Sequence, residues 1–155
     1  RDAISDESIN EIRKSILKSD DNEKTAAMIL SLYKIHDNTV KSNAYSILKD
    51  KNSSRLAKSY SSSYFRERKD PSVISDYIEL FKSLDAKKMM EMGEDGLPCW
   101  RSTTPCPKMF AHINDFRGKT VEGDDFEALR KDILEWWEEN SSDKKFYWSA
   151  DDSEI

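Results

Sequence analysis

Asp37, Val40, Ala44, Ile47 and Leu48 line up with Asp70, Val73, Tyr77, Leu80 and Phe81 at a constant spacing of 33 residues. In the other direction Asp6, Ile9, Arg13, Ile16 and Leu17 line up with the same five at 31. A segment of that length cannot bury its own apolar face, so its copies must stack on one another. This repeat restricts the chain to a stack of similar units before any other feature is weighed.

The pattern inside each unit is helical. Ile9, Ile12, Ile16 and Leu17 follow a plausible N-cap at Asp6, which predicts a helix over residues 6–18. Ala26, Ala27, Leu30 and Tyr33 form one face of a second helix, and Met28, Ile29 and Leu32 widen it toward burial on more than one side. Asp37 starts a third helix. A fourth is expected from about Ser53 to Lys69 through Leu56, Ala57, Tyr60 and Tyr64. Asp70 followed by Pro71 is the order of an N-cap and a first helical residue, so a fifth covers residues 72–84. No glycine precedes Gly93, and the only early proline stands at a helix start, which suits helices with short polar turns rather than strands. No run of about 18 apolar residues occurs, so nothing in the chain spans a membrane as a helix.

Asp37-Asn38-Thr39-Val40-Lys41-Ser42-Asn43-Ala44, with Ile47-Leu48 behind it, resembles the first helix of a HEAT repeat, and Asp70-Pro71-Ser72-Val73 repeats the opening. In that family an Asp opens the helix, a Val and a basic residue follow, and then a small residue. The basic position is Asn10 and Ile74 in the other copies, and the small position is Arg13 and Tyr77. The period resembles the short bacterial HEAT-like kind and covers residues 6–84. A tetratricopeptide array of similar period ranks second, because its first-helix Gly and Tyr are missing. The resemblance implies a right-handed all-α solenoid of about three helix pairs, with the second helices (residues 22–35 and 53–69) lining a concave groove.

The character changes beyond residue 92. Residues 93–123 hold all four glycines and three of the four prolines, which predicts an irregular segment. A last amphipathic helix over 124–140 carries Phe126, Leu129, Ile133, Leu134, Trp136 and Trp137. Its Trp-Trp ending is similar to the helix that closes some bacterial HEAT-like proteins. Residues 141–155 are polar and acidic except for Phe146, Tyr147 and Trp148, which are expected to fold back onto the body. The whole is read as one domain.

Cys99 and Cys106 lie in one Pro-rich loop, where they form either a disulfide or two free thiols. With His112 they make a Cys-x6-Cys-x5-His set that matches no common zinc spacing and lacks a fourth ligand unless Asp115 or His36 supplies it, so no metal and no cofactor are assigned. Gly118-Lys119-Thr120 resembles a phosphate loop, but Ile113 stands where a Walker A motif needs a glycine. The only histidines, His36 and His112, sit in no local pattern with Ser or Cys, and the acid pairs Asp124-Asp125 and Glu138-Glu139 read as helix-end charge. No catalytic residue is assigned. The first residue, Arg1, and the loop cysteines together favour an exported or periplasmic protein over a cytoplasmic one.

Charge points to a binding surface. Residues 1–92 carry 17 Lys and Arg against 15 Asp and Glu, whereas residues 93–155 carry 8 against 15. Between Asp50 and Lys69, Lys51, Arg55, Lys58, Arg66, Arg68 and Lys69 stand against Asp50 and Glu67, and Tyr60, Tyr64 and Phe65 are interleaved with serines. Arg55, Lys58, Tyr60, Tyr64, Arg66 and Arg68 are therefore the expected partner-binding residues, suited to an acidic protein segment. Nucleic acid is the alternative partner, since the HEAT-like proteins include a family of alkylation-repair DNA glycosylases. A net charge of −5 and one basic helix fall short of that family's basic concave face. Neutralisation of a toxin is a further alternative. The sequence thus leads to a non-enzymatic protein-interaction module.

Overall fold

Helix starts are set by capping chemistry. The computed structural model describes residues 22–83, 105–119 and 126–151, with the isolated positions 5, 7, 8, 10, 11, 14 and 87, and every regular element among them is helical. These are α1 (Asn22–Ser31), α2 (Asn38–Lys49), α3 (Arg55–Glu67), a 3-10 turn at Pro71–Val73, α4 (Ile74–Ser83), α5 (Pro105–Arg117), α6 (Phe126–Asn140) and a second 3-10 turn at Lys144–Phe146. Asp37 is extended, and its carboxylate accepts the Thr39 and Val40 N–H groups at 2.9 and 3.0 Å, so two donors that have no intrahelical partner are satisfied. Ser54 does the same for Ala57 at the start of α3. Asp70 accepts from Ser72 N–H and Ser72 Oγ ahead of α4, with Pro71 in the first turn as its sequence position predicts. The five repeat positions from Asp6 to Leu17 lie outside the described residues.

The chain divides into two compact units, residues 1–68 with 150–155, and residues 69–149. The change from one to the other comes at Lys69, whose φ of 55° turns the chain sharply between α3 and the Asp70 cap, and not at the compositional change near residue 93. In the first unit α3 packs on both α1 and α2, most extensively on α1. The α1 stripe that is buried is Thr25, Ala26 and Ile29, continued by Leu32 in the following turn, while Ala27 is exposed and Leu30 and Tyr33 are half-buried. Because α1 is apolar nearly all round, periodicity alone does not choose between the two stripes. On α2 the buried residues are Val40, Lys41, Ala44 and Ile47. On α3 a broad face is buried, and Ala57, Ser59, Ser61 and Ser62 are small enough to let helix axes approach closely there. The Ser61 and Ser62 hydroxyls make no hydrogen bond among the described residues.

Aromatic rings dominate the second unit. Phe81 of α4 meets Phe110 of α5 edge-on at 4.9 Å and Phe126 of α6 at 5.9 Å between centroids. Farther along, Tyr77 packs on His112, and His112 on Phe116. Phe146, only 3% exposed, then fills a pocket between Phe116, Trp136 and Trp137. The expectation that aromatics of the last segment fold back holds for Phe146, which the 3-10 turn capped by Asp143 places there; Tyr147 stays 45% exposed. Just beyond, the Asp151 carbonyl accepts a hydrogen bond from the buried Lys41 ammonium at 3.1 Å, so the acidic segment is shared out between the two units.

The largest correction concerns residues 93–123. Within that stretch, residues 105–117 form helix α5 rather than irregular chain. Pro105 and Pro107 fall in its first turn, where the missing N–H groups would have had no intrahelical partner in any case. Gly118 ends it at φ 68°, and Lys119 N–H returns to the Asn114 carbonyl at 3.1 Å, a Schellman closure. Proline and glycine here mark the two ends of a helix. No helix among the described residues is long and apolar enough to cross a membrane.

Candidate functional site

The basic, tyrosine-containing helix of the sequence is α3, and the structure divides its candidate residues into two groups. Tyr64 is fully buried and lies edge-on to Phe65 at 5.1 Å, so it forms core and not binding surface. Arg68 follows it inward. Its Nη1 donates to the carbonyls of Tyr33 and Ile35 at 3.0 and 2.8 Å, and its guanidinium lies over the Tyr64 ring at 5.3 Å. These carbonyls follow the end of α1, where acceptors lack helical donors and the dipole favours a cation. Nη2 stands 3.0 Å from His36 Nδ1. Arg68 therefore ties α3 to the turn after α1, and its charge is spent inside its own unit.

Arg55 and Arg66 are exposed, and Lys58 and Tyr60 are half-buried. Arg55 and Arg66 lie on the same side of the helix but about 16 Å apart along its axis. The outermost stripe of α3 is Leu56, Tyr60, Ser63 and Glu67, with Leu56 47% exposed, and the two arginines are set about a quarter turn to one side of it. The accessible side of α3 thus offers Leu56 and Tyr60 beside Ser63 and Glu67, with an arginine to one side near each end of the helix. Sequence counting overstated its basicity, because it could not tell an arginine that closes a helix end from one that faces water.

The Cys99–Cys106 pair lies outside the described residues, Cys99 altogether and Cys106 in its side chain. His112, the third member of that set, is 1% exposed and packed between Tyr77 and Phe116. Among the described residues no group of three His, Cys, Asp or Glu side chains is placed to hold a metal ion. Gly118 and Lys119 stand at the C-terminal end of α5, the end whose dipole disfavours phosphate.

A second site escaped the sequence reading. In the second unit a cleft of about 210 Å³ is lined by Arg117, Lys119, Asp132, Glu135, Trp136 and Glu139. The last four are spaced i, i+3, i+4, i+7 along α6 and so share one face of it, a spacing present in the sequence, where only Glu139 was read as helix-end charge and Trp136 as part of the apolar face. Arg117 and Lys119 come from the end of α5. The Arg117 Nη1 donates to Oδ1 of the buried Asn114. Burial lowers the Arg117 guanidinium from its ordinary value, against the opposite pull of Asp132. Comparison of the chain with protein-family models, with curated proteins and with solved structures finds no match.

Proposed function

We propose that the protein is a non-enzymatic protein-interaction module built from HEAT-like helical hairpins. The observation that supports this reading is the packing of the first unit: α3 packs on α2 and most extensively on α1, as neighbouring second helices would in a HEAT-like stack. Side-by-side second helices are what a solenoid groove is made of, and a stack of this kind provides a rigid recognition surface without any chemistry of its own. The binding strip is the outer side of α3: Leu56 and Tyr60, with Arg55 and Arg66 as flanking charges. An exposed leucine on a helix held by Ser54 at one end and Arg68 at the other favours a partner that supplies an apolar anchor and acidic neighbours.

The test is association with the native partner, captured from the source organism with the intact chain as bait and reconstituted from purified components. Leu56→Asp combined with Arg55→Glu is expected to abolish the complex with little change in melting temperature, since both residues are exposed. An undiminished complex would refute the assignment of the strip. Retention on heparin that is lost on neutralising Arg55, Lys58 and Arg66 would replace the protein partner by nucleic acid.

A further inference from the structure

The cleft on α6 has a composition that selects among ligands. Its six lining residues carry two cations and three carboxylates around one indole. Arg117 is already held by Asn114 and lies in the field of Asp132, so that pair is locally balanced. Lys119 offsets one further carboxylate. One negative charge is left over, shared between Glu135 and Glu139, which flank Trp136 along the helix and are both exposed. Among the described residues neither of these glutamates is held in an ion pair. Trp136 is half-buried against Phe146 and Trp137, which fixes its ring while leaving part of it open to the cleft.

We infer that this cleft is a receptor for a single cationic side chain, Arg or Lys, projecting from a basic segment of a partner protein. A fixed indole attracts a cation through its quadrupole, and carboxylates one residue before and three after it complete the charge at the same point. An anionic ligand is disfavoured, because it would face the carboxylates of Asp132, Glu135 and Glu139 on the same side of α6. The volume fits one long side chain and not a folded surface. This inference does not depend on the reading of α3: the cleft belongs to the other unit and requires the opposite charge in its partner.

The experiment uses the full chain and acetylated, amidated tetra-arginine as probe at low ionic strength, followed by calorimetry and by the tryptophan indole resonances. Saturable one-to-one binding is expected, with the Trp136 indole shifted most. Glu135→Gln together with Glu139→Gln should weaken it about tenfold. Both glutamates are exposed, so the fold is retained; Trp136→Leu is a second variant expected to lose binding, with circular dichroism reporting its fold. Absence of saturation, equal affinity in the double glutamine variant, or equal binding of tetra-glutamate would overturn the inference. Variants of α3 should leave probe binding unchanged, so failure here and failure of the α3 reading are separable.

Discussion

The segments opened by Asp37 and by Asp70 begin alike and end differently. Both aspartates are buried caps, and Val40 and Val73 are both inaccessible. Two turns later the correspondence breaks. Ile47 is buried, yet its counterpart Leu80 is 44% exposed; Leu48 is half-buried, yet its counterpart Phe81 is fully inaccessible. Lys41 and Ile74 occupy the position after the valine, the first holding the Asp151 carbonyl and the second lying in an apolar core. The buried arc of α4 is therefore rotated relative to that of α2. A capping signal fixes where a helix starts; which face it buries is decided by its neighbours, and those of α4 are the aromatic rings of α5 and α6.

One device is common to both units. Arg68 in the first and Arg130 in the second each lie over an aromatic ring, Tyr64 and Phe81, while donating to carbonyls at or just beyond the C-terminal end of an earlier helix. Arg68 reaches the carbonyls of Tyr33 and Ile35, and Arg130 reaches that of Lys82. The pairing of an arginine with a helix end thus recurs in both units.

The rotated face gives the largest expected effects. Phe81→Ala should lower the free energy of unfolding by about 3–5 kcal/mol, and Ile47→Ala by about 2–4. Leu80→Ala should cost less than about 1 kcal/mol, although its sequence counterpart is Ile47. Urea titration of the three variants decides the matter, and equal losses for Ile47 and Leu80 would restore a strict repeat. The arginine device comes next. Arg68→Ala is expected to cost about 1.5–3 kcal/mol and Arg130→Ala about 1, which thermal unfolding can rank. Gly118→Ala should cost about 1 kcal/mol, because a side chain at φ 68° is strained even with open space around its Cβ, and amide exchange in α5 should rise accordingly. The smallest effect has the opposite sign. Ser61→Ala removes a buried hydroxyl that has no hydrogen bond among the described residues, so stability should rise by a few tenths to about 1 kcal/mol, seen as a higher midpoint in urea.

Much of the helical layout was legible. Asp37, Asp70 and the Asp-Pro step announced their helix starts, and the apolar spacing of residues 126–137 announced α6. What was not legible depended on three-dimensional neighbours. Pro105, Pro107 and Gly118 were counted as breakers because composition does not record that they fall at helix ends. Tyr64 and Arg68 were assigned to a surface because a tyrosine or arginine on an amphipathic helix can face either way. Asp132, Glu135, Trp136 and Glu139 had the spacing of one face, but only the approach of Arg117 and Lys119 from α5 makes that face a cleft.

The central claim is that the outer strip of α3 recognises a protein. A photoreactive amino acid at position 56, irradiated in the source organism, tests it most directly, with position 83 on α4 as the control. The account predicts one discrete protein adduct from position 56, absent from position 83 and lost when Arg55 is changed to Glu. No adduct from position 56, the same adduct from both positions, or a nucleic-acid adduct would contradict it.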